Sequence, residues 1–348
     1  MFKGETMICK IARSASLWLL LISGPAMGFS AEPEAGDFVA VPKEGKAKFA
    51  PTASEHAVPK RYQQSAHSFS FETEHERDSG PVKIYRVRFP SPVKTDAETN
   101  NTVHAQYFQP AGKGPFPGVV VLHILGGDFA LSQMISNGLA RKGVAALFVK
   151  MPYYGERRPK GERRRMLSPD LDETVAGMTQ AVLDIRRAAT WLEHRPEVDA
   201  KQLGVMGISL GGIMSGLSAA AEPRFQKVAM YLAGGNLHAA IWDSGISEIK
   251  SYRERWKAAG ETRESFIKKM ADVDPITHAP CLKNREVLMV NAKKDEVIPK
   301  ECTTALWEKI GTKREIIWLD AGHYSAALYI FGEMERLAKF FQPSKDSK

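Results

Sequence analysis

The sequence predicts an α/β fold: a mostly parallel sheet with antiparallel strands at its N-terminal edge and helices on both faces. Three observations predict it. The runs GVVVLHI (118–124) and VAALFV (144–149) lack polar alternation, which marks strands buried on both faces. Such runs alternate with stretches of helical periodicity, and that alternation builds parallel sheets through right-handed crossovers. Before residue 110 the pattern differs. HSFSFE (67–72), VKIYRVRF (82–89) and TVHAQYF (102–108) alternate apolar and polar residues, as strands of antiparallel hairpins do.

Asp78-Ser79-Gly80 supplies the turn between the first two of these strands, and a Pro-Gly-rich turn follows the third. A helix is expected at about 130–141, where Leu131, Ile135, Leu139 and Ala140 share a helical face. After the strand 144–149 comes a long amphipathic helix over 172–194, then a strand at 202–208 and a helix at 210–221. Short apolar strands are expected at 228–232, 287–290 and 316–319, with helices at about 300–310 and 325–341. Residues 236–280 interrupt the alternation and carry Trp242, Trp256 and an amphipathic stretch over 249–259. An insertion of that length between strands usually covers a site, so it reads as a helical lid.

With 348 residues, 43% hydrophobic and 25% charged, the chain has the composition of an ordinary globular protein. One large domain over 66–348 can bury a core that needs neither disulfide nor metal. The N-terminus has the pattern of a targeting segment. Lys3, Lys10 and Arg13 precede ASLWLLLI (15–22), an apolar run too short to span a bilayer. Ser23-Gly24-Pro25 breaks the run, and Ala26-Met27-Gly28 offers the small residues a signal peptidase reads. A signal peptide over 1–28, and a secreted or periplasmic location, follow as expectations. Its removal lowers the net charge from +8 to about +6. Basic and acidic residues are interleaved nearly everywhere else, so no nucleic-acid partner is read, nor any stable membrane insertion after processing. Residues 29–65, rich in Pro, Ala, Glu and Lys, read as a flexible N-terminal arm. Cys9 leaves with the signal. Cys281 and Cys302 lie beyond opposite ends of a strand that advances about 3.3 Å per residue, and bridged Cα atoms lie within about 7 Å. Two separate thiols are expected, and no metal-ligand spacing is present.

The chemistry centres on Gly207-Ile208-Ser209-Leu210-Gly211, a G-x-S-x-G pattern between the buried strand LGVMGI and a helix. That context makes it a nucleophile elbow, a turn so tight that side chains at 207 and 211 would collide with backbone. A serine hydroxyl needs a base, and on such a sheet the acid and the histidine follow the serine in the order Ser…Asp…His. Asp295 follows the strand EVLMV (286–290), and His323 follows EIIWL (315–319). Both loops open at the carboxyl ends of their strands, where ligands bind in open α/β sheets. His323 would take the Ser209 proton, and Asp295 would fix the imidazole tautomer. Glu296 and Asp320 stand as alternative acids, and His278 as a rival base. For the oxyanion hole, the backbone N–H of Leu210 is one expected donor. Leu125 is the second, with Gly126 next, from the loop His123-Ile124-Leu125-Gly126-Gly127, in which His123 reads as a brace. Tyr153, Tyr154 and Arg157, after the strand 144–149, are candidate substrate contacts. The basic run RRPKGERRR (157–165) reads as a solvated loop, or alternatively as a patch that attracts an acidic substrate.

These residues resemble the α/β-hydrolase superfamily over roughly 82–342. The nearest branch is the dienelactone hydrolase-like group, beside acetyl xylan esterases and prolyl oligopeptidase-type catalytic domains. HILGG (123–127), GISLGG (207–212), the DP…H segment at 274–278, KKDEVIP (293–299) and AGHY (321–324) carry the resemblance. It implies the α/β-hydrolase fold and a cofactor-free serine hydrolase acting on esters, with a small-molecule or carbohydrate ester as substrate. Two departures stand out: dienelactone hydrolases proper use a cysteine where this chain has Ser209, and the glycine usual after the loop histidine is Ile124. An oligopeptidase-type serine peptidase and a non-catalytic binding protein on the same fold are the competing readings.

Overall fold

In the computed structural model the sheet has ten strands among the described residues, which are 38–343 apart from 128, 163 and 313. The side chains of residues 247 and 248 are not described either, and the signal segment read over 1–28 lies outside the described residues. In chain order the strands are β1 (Glu44–Phe49), β2 (His67–Asp78), β3 (Val82–Pro90), β4 (Thr102–Pro110), β5 (Phe116–Leu122), β6 (Ala145–Val149), β7 (Val198–Ile208), β8 (Phe225–Tyr231), β9 (Glu286–Ala292) and β10 (Ile317–Leu319). Their spatial order is β1-β2-β3-β4-β6-β5-β7-β8-β9-β10. The pairs from β1 to β4, and β4 with β6, are antiparallel. The pairs from β6 to β10 are parallel. The change from alternating to continuous apolar sequence near residue 110 thus marks the change from antiparallel to parallel pairing.

The helices are α1 (Ala130–Arg141), α2 (Leu171–Glu193), α3 (Leu210–Ala221), α4 (Ser247–Ala258), α5 (Arg263–Met270), α6 (Pro275–His278), α7 (Lys300–Ile310) and α8 (Ile330–Phe341). Asp170 caps α2 by accepting the N–H groups of Asp172 and Glu173, which is why the helix starts there. One apolar layer packs α1 and α8 against the sheet, through Ile135, Leu139, Leu337 and Phe341. The other holds α2, α3 and α7, through Ile185, Trp191, Leu217 and Leu306. Trp242, Trp256 and Phe266 of the 236–280 insertion belong to this second layer, with the two indole rings stacked at 6.5 Å. The insertion is helical, as its periodicity predicts. Both its ends are tied by Asp274, whose carboxylate accepts the N–H of Leu237 (2.6 Å) and of Ile276 (3.1 Å).

One expectation is corrected. Residues 38–65, read as part of a flexible arm, are built into the domain. In β1, Ala47 and Phe49 are buried while Lys46 and Lys48 point outward, a two-residue period carried by only two apolar side chains. Beyond it Tyr62 is fully buried, and Arg186 of α2 holds the segment through Glu55 (2.7 Å) and the Tyr62 carbonyl (2.5 Å). Among the described residues Cys281, exposed, and Cys302, buried, are free thiols.

Candidate active site

The chain leaves β5 for β6 on one side and returns to β7 on the other, so the sheet reverses its winding between β5 and β7. That reversal opens a crevice at the carboxyl ends of the strands. Ser209 sits there, between β7 and α3, with φ 55° and ψ −118°. A left-handed φ on a serine is strained, and the surroundings enforce it. A Cβ on Gly207 would lie 2.3 Å from the backbone of Gly211, and one on Gly211 would lie 2.6 Å from the Leu122 carbonyl oxygen. The Ser209 N–H donates to Tyr231 O of β8 at 2.8 Å, which anchors the turn to the sheet.

The loops after β9 and β10 deliver the other two groups. His323 Nε2 lies 3.0 Å from Ser209 Oγ, and its Nδ1 lies 2.9 Å from both carboxylate oxygens of Asp295. Asp295 is itself held: Oδ1 accepts the N–H of Val297 (2.9 Å) and of Ile298 (2.7 Å). Its side chain and that of His323 are nearly excluded from water. A carboxylate fixed by backbone donors in that setting holds the Nδ1–H tautomer, and this leaves Nε2 free to accept the hydroxyl proton.

The alternatives fall elsewhere. Glu296 accepts the backbone N–H of His323 at 2.9 Å, so it grips the loop and not the ring. Asp320 is exposed and pairs with Lys294 at 3.1 Å, which holds its carboxyl below the usual range. His278 faces the carbonyl of Asp272.

Leu210 opens α3 directly after Ser209, and Leu125 lies in the turn that follows β5, the strand beside β7. That turn is braced from below. Tyr154 is buried and its hydroxyl donates to Leu125 O at 2.9 Å. His123 is fully buried, accepting the Met151 N–H on Nε2 (3.1 Å) and donating from Nδ1 to Ile124 O (2.8 Å). Burial pushes its pKa down to about 4, so the ring is neutral.

The candidate substrate contacts divide. Arg157 is 0% exposed. It donates to Asp184 Oδ2 (2.7 Å), Asn100 O (2.8 Å) and Lys150 O (3.0 Å), so it cannot reach a substrate. A charge in a basic run looks solvated, but this one is neutralised by a carboxylate on α2 that the local sequence does not reveal. Tyr154 serves as the brace just described. Tyr153 alone borders open space, with a left-handed φ of 64° and its N–H donated to Asn100 Oδ1. It lines a cleft of about 280 Å³ with Thr95, Asp96, Arg164 and Arg165. Among the described residues, no group of three or more His, Cys, Asp or Glu side chains is placed to hold a metal ion.

The reversed sheet, the strained serine after β7 and the imidazole–carboxylate pair on later loops define an α/β-hydrolase. More particularly, the chain belongs to the family described as alpha/beta hydrolase domain containing 18, which it matches over residues 60–245. The prolyl oligopeptidase family matches over 178–343. Among curated relatives, acyl-coenzyme A thioesterase 1 of Rattus norvegicus is 30% identical over 142 residues, 40% of this chain and 30% of that protein. An uncharacterized protein of Mycobacterium tuberculosis is 28% identical over 156 residues, 44% of this chain and 35% of that one. The chain thus spans about a third of the length of the curated relatives it matches. Two solved structures are similar in fold. Acetyl xylan esterase 1 from Thermoanaerobacterium sp. JW/SL YS485 is 22% identical, with TM-score 0.63, covering 78% of this chain and 88% of that one. An acetyl xylan esterase from Paenibacillus sp. R4 is 18% identical, with TM-score 0.62, covering 83% and 99%.

Proposed function

We propose that the protein is an exported serine hydrolase that cleaves carboxylic esters through an acyl-enzyme on Ser209. The observation that carries this reading is the unbroken contact from the Ser209 hydroxyl through His323 to Asp295, at 3.0 and 2.9 Å. His323 Nε2 takes the hydroxyl proton as Oγ bonds to the ester carbon. The C–O bond to the alcohol then breaks, and His323 returns the proton to the leaving oxygen. A water attacks the acyl-enzyme, gives its proton to His323, and the Oγ–carbon bond breaks with the proton restored to Oγ. The N–H groups of Leu210 and Leu125 would stabilise the oxyanion, a contribution worth about 3 kcal/mol per donor in such sites. Rooted beside the elbow at the end of β8, the insertion 236–280 would wall the substrate pocket, and Tyr153 would contact substrate only where the ligand extends into the cleft it lines with Asp96 and Arg164, which holds no triad residue.

A small-molecule or carbohydrate ester is the proposed substrate, with no cofactor. The targeting pattern read in the sequence of residues 1–28 supports export. Among the described residues no helix is long and apolar enough to cross a membrane. The test is labelling of mature protein with a fluorophosphonate, together with turnover of p-nitrophenyl acetate, an acyl thioester and amino-acyl p-nitroanilides. Labelling of wild type but not Ser209→Ala, with ester turnover above anilide turnover, supports the reading. Preferential anilide cleavage would make it a peptidase, and folded protein that neither labels nor turns over would make it a binding protein. N-terminal sequencing of secreted material tests cleavage near residue 28.

A further inference from the structure

Two buried side chains hold successive carbonyl groups of the turn after β5. Ile124 O accepts from His123 Nδ1 at 2.8 Å and from the Gly127 N–H at 3.2 Å. Leu125 O accepts from the Tyr154 hydroxyl at 2.9 Å. The two rings are both buried and meet edge to face with centroids 4.4 Å apart, so both carbonyls point to one place beneath the turn. A peptide is planar and trans, so its N–H points opposite to its C=O. The N–H of Leu125 opposes the Ile124 carbonyl, and the N–H of Gly126 opposes the Leu125 carbonyl. Both therefore face the open side of the turn, where Leu125 is 49% exposed and Gly126 is exposed as well. Among the described residues neither N–H has an acceptor. The turn stands at the nucleophile. Leu122 pairs with Gly207 across β5 and β7, and a Cβ on Gly211 would lie 2.9 Å from His123 O, so the chain enters the turn against the elbow that carries Ser209.

We propose that Gly126 is a third oxyanion donor beside Leu210 and Leu125, and that Tyr154 is the positioning residue that aims it. This rests on the ester-hydrolase reading above. As Ser209 Oγ bonds to the ester carbon, the carbonyl π pair moves to its oxygen and the Oγ proton passes to His323 Nε2. The new anion meets N–H dipoles already turned outward, so the turn need not reorganise. Burial holds the Tyr154 phenol above its usual pKa, which keeps it a donor. The Leu125 N–H is fixed separately, through the two donors on Ile124 O. Loss of the Tyr154 hydroxyl therefore frees the Leu125–Gly126 peptide alone.

Two measurements test this. Trifluoroacetone adds to Ser209 as a hemiketal whose oxygen takes the place of the oxyanion. In protein labelled with 15N-glycine, the Gly126 amide, identified by its absence from Gly126→Ala, is expected to move downfield when wild type forms this adduct and to stay put in Ser209→Ala. Tyr154→Phe keeps the ring and deletes the hydroxyl. For p-nitrophenyl acetate its kcat is expected to fall about tenfold, less than the roughly 10²–10³-fold of losing a donor outright. KM and the His323 pKa in the pH profile should not change, and the inhibition constant of trifluoroacetone should rise by the same factor as kcat falls. A Gly126 amide unmoved in the wild-type adduct overturns the proposal. So does Tyr154→Phe that melts earlier with kcat and inhibition intact, or that shifts the His323 pKa, which would put the damage in the triad. If Tyr154→Phe does not fold, the wild-type amide decides. Ester turnover that persists through these failures leaves the hydrolase reading standing, and wild type that forms no adduct and turns nothing over removes both.

Discussion

Glu296 accepts the backbone N–H of His323 at 2.9 Å, while its neighbour Asp295 holds the Nδ1 of the same residue at the same distance. Two adjacent carboxylates thus fix one histidine, one through its ring and one through its main chain. A Cβ at Gly322 would lie 2.7 Å from Glu296 Oε2, so the loop passes that carboxylate as closely as a glycine permits. Glu296→Ala removes the acceptor and is expected to lower kcat/KM for p-nitrophenyl acetate by roughly tenfold, the value of one hydrogen bond at a positioning residue. Glu296→Gln keeps an acceptor oxygen and should recover most of the loss. If both variants fall equally, the charge of Glu296 matters and not its grip.

Asp295 is satisfied by two backbone donors besides the imidazole. Asp295→Asn preserves the shape of the loop but offers an N–H to Nδ1, which favours the wrong tautomer. Turnover of p-nitrophenyl acetate is expected to fall by about 10⁴, with circular dichroism and melting little changed. Steady-state kinetics on protein of verified purity settles the magnitude, and a loss under tenfold would shift the acid's role elsewhere.

Gly207→Ala is expected to abolish the folded state and not merely activity. The added carbon would sit 2.3 Å from the Gly211 backbone, and no flexible side chain is there to yield. Recovery of soluble protein with a native melt would show that the elbow can relax. Gly126→Ala is the control, since a Cβ there meets nothing within 4 Å.

Where the sequence was legible, one local signal sufficed. The positions of Ser209, Asp295 and His323 followed from strand ends, because a parallel sheet projects its loops to one side. The boundaries of α1, α3 and α7 followed from apolar spacing within single segments. What stayed hidden depends on partners far along the chain. Ala47 and Phe49 are too few to mark a strand until β2 is beside them. Arg157 resembles its solvated neighbours until Asp184 on α2 closes over it. The grip of Glu296 is a matter of loop shape, and the only sign of it in the sequence was a second carboxylate next to the first. Asp274 had a readable cue, an aspartate before proline at a helix start.

His123 makes stability depend on pH. Its pKa is near 6.5 in the unfolded chain and about 4 in the fold, because burial disfavours the imidazolium. Between those values the unfolded chain binds the extra proton, so stability contributed by the neutral ring is full above about pH 6.5 and is lost as pH falls toward 4. The loss amounts to roughly 3 kcal/mol at most. Urea denaturation at intervals from pH 7 to pH 4 should show this slope, and His123→Phe should reduce it, even if that variant is less stable at pH 7. Equal slopes in the two proteins would assign the acid sensitivity to other groups, among them His104, whose pKa burial also lowers, and the carboxylates.

Arg157 separates stability from binding. Both partners of its ion pair with Asp184 are buried, and Ser91 also donates to that carboxylate at 2.6 Å. Arg157→Ala would leave Asp184 charged or force it to take a proton in the interior, at an expected cost of about 3–5 kcal/mol. Arg157→Met with Asp184→Leu removes both charges together and should cost less than the single change, because the penalty of an unpaired buried charge disappears. Chemical denaturation of the two variants measures the difference. At temperatures where each is folded, KM for p-nitrophenyl acetate should match wild type, since no atom of Arg157 is open to solvent. A raised KM in folded protein would return this arginine to the substrate site.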